Sequence, residues 1–207
     1  MRERPDIFVS IAAEVPDEVI SDFLKEAEAS GFDQVLERRE PEVFAAIEWL
    51  LPTAVMLFIG RKFIDTFAEE AAKDAYPVVK AALLRLIRRT SGPSRVINST
   101  YISSTPEKAP TKPTALLTVL VMATDGRRAH FRFPLDLPDS LHAAALEGLL
   151  AAAKQFEASN LDPSSPDNSM RASWRPKVLT FDSAAAAWRE VDLLLEAHVA
   201  RERFEDD

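Results

Sequence analysis

The apolar run from Leu51 to Phe63, LPTAVMLFIGRKF, constrains the fold more than any other stretch of this chain. Its central part, TAVMLFI, is rich in β-branched and aromatic residues, shows no alternation of polar and apolar positions, and lies between Pro52 and Gly60. This pattern is typical of a strand that is buried on both faces of a sheet, although the start of a buried helix has the same apolar content. We therefore predict a central strand over residues 53–59.

This strand has consequences for the side chains within it and just after it. Because no polar side chain is available to face water, we expect Met56 and Phe58 to be fully buried in the core. The glycine after the strand turns the chain, and Arg61 and Lys62 begin the next helix.

The same run is too short to cross a membrane. A spanning helix needs about 20 consecutive apolar residues, whereas the uninterrupted stretch from Leu50 to Gly60 has eleven positions. Extending it upstream brings in Glu48, whose insertion at mid-bilayer costs about 3 kcal/mol. We predict no membrane span.

Length and composition indicate one α+β domain covering residues 1–207. Apolar residues make up 47% and charged residues 28%, which is ordinary for a globular protein and sufficient for a core without metals or disulfides. The chain has no cysteine, which excludes disulfides, thiol nucleophiles and thiolate metal sites. The first residues lack a signal-peptide pattern, so we expect a cytoplasmic protein.

The N-terminal half is predicted to be rich in helices around the buried strand. Pro and acidic residues suit a first helical turn, and glycine suits a helix end. These signals predict a strand at 6–12, helices at 16–30, 41–51 and 61–74, a helix from Pro77 to Arg89, and a short edge strand within 32–38.

From Ser94 onward the sequence changes to β-rich runs, at 94–104, 114–124 and 127–135. Asp125-Gly126 between the last two predicts a tight β-hairpin, because glycine supplies the positive φ of such turns. A helix at 138–158, a strand at 176–182 and a C-terminal helix at 188–204 complete the prediction. The Pro-, Ser- and Asn-rich segments at about 104–113 and 159–173 are expected to be mobile loops.

No catalytic or cofactor motif is present in the sequence. The three histidines, His130, His142 and His198, each stand alone, without a metal-ligand spacing, and are expected at the surface or at an edge of the fold. The five glycines never cluster into a phosphate-binding loop, and no Gly-x-Ser-x-Gly elbow exists. We therefore predict no cofactor, no metal and no catalytic residues.

Glu48 lies just before the apolar run, and Arg61 and Lys62 lie just after it. These three residues could form a small polar cluster at one end of the core. A structural ion pair that holds a helix to the strand and a functional pocket are both compatible with this spacing, and the structural interpretation is the simpler one.

Charge is divided unevenly along the chain. The segment 75–135 has ten cations and two acids, so it carries +8, whereas the net charge of the whole chain is −8. Three interpretations compete: cations at a helix C-terminus, ion pairs with the acidic flanks, or a basic surface for an anionic ligand. The candidate anion-binding residues are Arg85, Arg88, Arg89, Arg127 and Arg128.

Taken together, these patterns favour a non-enzymatic cytoplasmic module that binds another protein, as an adaptor, an inhibitor or an immunity-type partner. The absence of a catalytic motif and the acidic net charge support this expectation, since charge steers protein association. One alternative is an effector subunit that binds a nucleotide or nucleic acid through a basic patch within residues 80–132. A third is an enzyme whose polar residues converge only in the fold.

Overall fold

A computed structural model describes residues 5–13, 15–39, 54–68, 75–97, 115–123, 127–158 and 176–191. These residues form seven β-strands and four α-helices, with a short 3-10 turn before the last helix. The strands are β1 (Ile7–Ala12), β2 (Gln34–Arg39), β3 (Val55–Ile59), β4 (Ala115–Met122), β5 (Arg128–Pro134), β6 (Lys177–Asp182) and β7 (Ala187–Glu190). The helices are α1 (Glu18–Ala29), α2 (Arg61–Ala68), α3 (Ala75–Thr90) and α4 (His142–Ala158), and the 3-10 turn is Asp139–Leu141.

All seven strands belong to one mixed sheet, in the order β2-β1-β3-β4-β5-β6-β7. Parallel and antiparallel neighbours alternate: β1–β2, β3–β4 and β5–β6 are parallel, whereas β1–β3, β4–β5 and β6–β7 are antiparallel. The mixed sheet and its helices confirm the α+β class. The description of the N-terminal half as helix-rich is only partly matched, because that half also contributes three strands.

The helices form one layer on one face of the sheet. Helix α1 packs against α3, and α3 packs against α4. The indole Nε1 of Trp188 on β7 donates a 2.9 Å hydrogen bond to the carbonyl of Ala145 on α4. The Trp188 ring also meets Phe131, Phe133 and Phe181 edge-on, with centroids 5.1–5.4 Å apart. This aromatic cluster fixes α4 against the sheet.

Local sequence signals explain the buried face of helix α1 and the position where the helix ends. Its buried residues Val19, Ile20, Phe23 and Ala27 follow the three-four spacing of an amphipathic helix. Gly31 follows the helix with φ of 82°, a conformation that L side chains rarely adopt. The predicted helix and its glycine stop are confirmed.

The apolar run does form a strand, but it is not buried on both faces. Val55, Leu57 and Ile59 of β3 are fully buried under the helices, whereas Met56 and Phe58 point to the opposite face and are only half-buried. The expectation that both of these side chains are fully buried is therefore wrong. The helices of the described residues pack on only one face of this strand, and the unbroken apolar sequence concealed this asymmetry.

Most of the predicted elements that fall in the described residues are present. The structure confirms the strand at 6–12, the edge strand, the helix starting at Arg61, the 114–124 and 127–135 strands as an antiparallel pair, and the strand at 176–182.

The predicted helix at 188–204 is wrong at its start, because Trp188, Arg189 and Glu190 lie in β7. There the aromatic contacts of Trp188 outweigh helix propensity. The helix at 41–51, most of the 94–104 run and both loops, 104–113 and 159–173, lie outside the described residues.

Candidate functional site

The sheet face opposite the described helices carries the candidate site, and we call it the helix-free face because no helix of the described residues packs on it. It is formed by alternate residues of each strand, because successive side chains of a strand point to opposite faces. Across the central strands, the pairing register places one apolar row on this face. In strand order from the β2 edge, the row consists of Val35, Phe8, Phe58, Leu120 and His130.

The apolar row is accessible to different extents along its length. Val35, at the sheet edge, is 44% exposed, and the other four side chains are half-buried. Two phenylalanines and a leucine of the row are partly exposed to solvent, although the chain has a complete core on the other side of the sheet. Partly exposed apolar side chains bordered by polar ones are typical of interaction surfaces.

A polar row runs beside the apolar one on the helix-free face. In register across the seven strands, it contains Glu37, Ser10, Met56, Thr118, Arg132, Thr180 and Arg189. Ser10 and Thr118 are buried, and Arg132 is only 6% exposed. The Thr180 hydroxyl donates to the carbonyl of Arg132 at 3.5 Å. One nonpolar residue, Met56, interrupts this otherwise polar line.

His130 lies beside a cation, and the register continues from it to the buried Val178 on β6. Burial first, and the positive charge of Arg128 second, together lower the pKa of His130 from its ordinary value to about 4. The imidazole is therefore neutral near pH 7 and behaves as part of the apolar row. Arg128 itself is exposed at the start of β5 and gives this end of the face a positive rim.

The candidate anion-binding arginines on α3 lie next to the acidic helix α1. Arg89 donates to the Asp22 carboxylate at 2.7 Å and also contacts the carbonyl of Glu18. Arg85 lies 3.9 Å from the Glu26 carboxylate. Arg88 is exposed in the last turn of the helix, where a cation suits the carbonyl end. The acidic flank and the basic middle of the sequence thus meet between α1 and α3.

The other two arginines lie far from that helix end. Arg127 donates to the carbonyl of Phe156 at 3.1 Å and lies over its ring, 4.8 Å from the centroid. The end of α3 is joined to the opposite end of β5, where the Gly92 amide donates to the Leu135 carbonyl. Seven strand residues span roughly 20 Å. The structure therefore places the five arginines in two groups at opposite ends of β5.

The predicted polar cluster is only partly visible, because Glu48 lies outside the described residues. Lys62 pairs with the Asp6 carboxylate at 2.7 Å and donates to the carbonyl of Gly31 at 3.0 Å. Arg61 pairs with Asp65 of its own helix at 3.1 Å. Lys62 thus ties the start of α2 to β1 and to the end of α1, so its described contacts are structural.

His142 is enclosed at the N-terminus of α4, which makes its expected surface location wrong. Among the described residues, neither ring nitrogen of His142 makes a hydrogen bond of normal geometry, and the neighbouring buried Ser91 hydroxyl has no hydrogen-bond partner. Its Nδ1 lies 3.7 Å from the Asp139 carboxylate. Burial is the main cause that lowers the pKa of His142, and Arg88 adds to it, while Asp139 and the Ser91 backbone act in the opposite direction.

The enclosure of His142 argues against catalysis at this cluster. A histidine, a serine and an aspartate close together could suggest nucleophilic chemistry. However, both His142 and Ser91 are fully buried, so a substrate cannot reach either group. The close approach of Gly92 explains the packing, because a Cβ at this glycine would lie 2.5 Å from the Leu137 carbonyl.

The described ranges contain no metal-binding group and no membrane span. No group of three His, Asp or Glu side chains there could hold a metal ion. No helix of that part of the chain is both long enough and apolar enough to cross a bilayer. No protein-family model, no curated protein and no solved structure matches the chain.

Sequence patterns did not reveal the helix-free face. Its residues come from six or seven strands, and only the pairing register brings them into rows. Strict alternation of polar and apolar residues would have marked the face, but in β3 and β4 both faces carry mostly apolar side chains. The single visible signal was His130 and Arg132 between apolar residues of β5.

Proposed function

We propose that this chain is a non-enzymatic cytoplasmic protein-binding module whose binding surface is the helix-free face. The observation that supports the proposal is the row of Val35, Phe8, Phe58 and Leu120, which stays partly exposed, whereas their neighbours Val9, Leu57 and Val119 on the other face are fully buried. Such a row, bordered by polar side chains, has the composition of a protein interface with an apolar centre and a polar rim.

The charges around the row indicate which partner surface would fit. Arg128 and Arg189 are exposed on this face, and Arg132 lies between them near the centre. Asp182 pairs with Arg189 at 2.9 Å and offsets one of these charges. A partner with an apolar ridge flanked by carboxylates near Arg128 would be complementary, and its association would weaken with salt.

The alternative function, binding of a nucleotide or nucleic acid, has less support. A phosphate-binding patch needs several cations on one accessible surface. Arg85 and Arg89 pair with acids of α1, and the five candidate arginines fall into two groups roughly 20 Å apart. Protein binding through the helix-free face is therefore the preferred proposal.

A matched pair of charge reversals tests the proposed surface. Arg128→Glu changes an exposed arginine on the helix-free face, and Arg88→Glu changes an exposed arginine on the helix layer. Proteins captured from a cell lysate by the wild type should be retained by Arg88→Glu and reduced at least ~10-fold with Arg128→Glu, as for a lost interfacial charge pair. Phe58→Ala should also reduce capture while leaving the circular dichroism spectrum unchanged. Equal capture by all four proteins would refute the proposal.

A further inference from the structure

The outer edge of β2 has a defined hydrogen-bonding pattern. The Ile7 amide donates to the Asp33 carbonyl, and the Ala13 amide donates to the Arg39 carbonyl, both at 3.0 Å. Because strand residues alternate in the direction of their backbone groups, odd-numbered residues of β2 face β1. The N–H and C=O groups of Gln34, Leu36 and Arg38 therefore point outward from the sheet.

This edge is accessible in the described part of the chain. There β2 is the last strand of the sheet, and its side chains from Val35 to Arg38 are exposed. Leu36 is 41% exposed, and among the described residues it is one of four large apolar side chains that are exposed to this degree, with its neighbour Val35 as another. An edge strand of six residues without proline is a ready template for another strand.

We propose that two copies of this chain pair through β2 in antiparallel orientation, with Leu36 on the two-fold axis. Gln34, Leu36 and Arg38 are spaced symmetrically about Leu36. Only an axis at Leu36 allows all three outward-facing residues to pair with outward-facing residues of β2 in the second copy. Each such pair exchanges two hydrogen bonds, so the interface gains about six.

The side chains also favour this register. Gln34 lies opposite Arg38 of the second copy, and Asp33 lies opposite Arg39, which brings unlike charges together on the helix-free face. Moving the axis to Glu37 would place two carboxylates directly opposite each other, which is destabilising. Moving it to Val35 would leave Arg38 opposite the buried Phe32. Charge complementarity therefore selects the same axis as the backbone.

The resulting dimer would have one continuous sheet of fourteen strands, since each copy contributes seven. A two-fold axis perpendicular to the sheet keeps both helix layers on one side. The two helix-free faces then form one surface, with the Val35 residues of both copies near its centre. This dimer does not depend on the proposed function, because Arg128 lies on β5, which three strands separate from β2.

Cysteine cross-linking gives a direct test, because the chain has no cysteine of its own. In the proposed register, the Cα atoms of the two Leu36 residues lie about 5.5 Å apart, within reach of a disulfide. Leu36→Cys should form a covalent dimer under mild oxidation. The double variant Val35→Cys/Glu37→Cys should cross-link as well, since these positions lie opposite each other. Val96→Cys, which is 60% exposed elsewhere, should not.

Light scattering on the full chain provides the second measurement. The wild type should have twice the mass of one chain, and Leu36→Lys should have the mass of one chain with an unchanged circular dichroism spectrum. A wild type that remains monomeric across concentrations would overturn the proposal. So would a dimer that resists Leu36→Lys, or one in which Leu36→Cys cross-links no faster than Val96→Cys.

Discussion

The helix-covered face and the helix-free face are built from alternate residues of the same strands, yet they differ in composition and burial. The covered face is a continuous apolar surface that includes Val9, Leu57, Val119 and Phe131, all fully or almost fully buried. The helix-free face mixes half-buried apolar side chains with the buried polar groups of Ser10, Thr118 and Arg132. Stability therefore depends mainly on the covered face.

Neighbouring residues of β3 provide the strongest test of this difference. Leu57→Ala, on the covered face, should lower the free energy of unfolding by about 4 kcal/mol, because it leaves a cavity. Phe58→Ala removes a larger side chain, yet it should cost only about 1–2 kcal/mol, because that side chain is half-buried. Urea unfolding of both variants measures the two costs. Equal losses would show that the faces are equivalent.

His130 makes the helix-free face sensitive to pH. Its pKa is about 4 in the folded protein, below the ordinary value of 6.5, so the unfolded chain binds a proton first. Its contribution to stability is complete above pH 6.5 and is lost as the pH falls toward 4, by up to ~3 kcal/mol. Unfolding of the wild type and of His130→Leu at pH 7 and pH 4.5 should show a smaller loss in the variant. Identical losses would contradict this assignment.

Substitutions of Trp188 measure how much the contacts of β7 with α4 and the sheet contribute to stability. Trp188→Phe removes the 2.9 Å bond to the Ala145 carbonyl and part of the edge-on ring contacts. We expect a loss of about 2 kcal/mol in the free energy of unfolding. Trp188→Ala should cost more, since it empties the aromatic cluster. If Trp188→Phe leaves the free energy of unfolding unchanged, other contacts hold α4 against the sheet.

The smallest expected effect concerns the charges between the helices of the covered side. Arg89→Gln breaks the pair with Asp22 and should lower stability by about 1 kcal/mol or less, because the pair is partly exposed. Arg88→Gln should have no measurable effect. In a mobility-shift assay at low salt, we expect no nucleic-acid binding by the wild type or by either variant. Salt-sensitive binding abolished by these substitutions would favour the alternative function.

The sequence predicted individual elements better than their arrangement. Pro, Gly and apolar spacing identified α1, the start of α2 and the β4–β5 pair, because these signals act over a few residues. They could not show that β1 separates β2 from β3, which depends on long-range pairing. Trp188 was assigned to a helix because its contacts with Phe131, Phe133 and Phe181 come from distant strands.

The same limit applies to the candidate site. The charge count correctly identified an unusual basic segment, but it could not show that Arg89 meets Asp22 or that Arg127 meets Phe156. The enclosed position of His142 likewise depends on Gly92, which lies in a segment far earlier in the chain. Local patterns specify which side chains are available, whereas the register of the sheet decides which of them meet.

The strand order has a consequence for the time course of folding. Two of the antiparallel pairs, β4–β5 and β6–β7, join strands that follow each other directly in the chain and can form early as hairpins. Strand β3, by contrast, has as its neighbours β1, near the start of the chain, and β4, beyond helix α3. During synthesis, the apolar residues of β3 therefore emerge well before β4 does. Until residues 115–122 have been made, β3 has no partner on one side, and its apolar segment VMLFI is an unpaired sheet edge. An unpaired apolar edge of this kind is prone to aggregate and is the type of surface that chaperones bind.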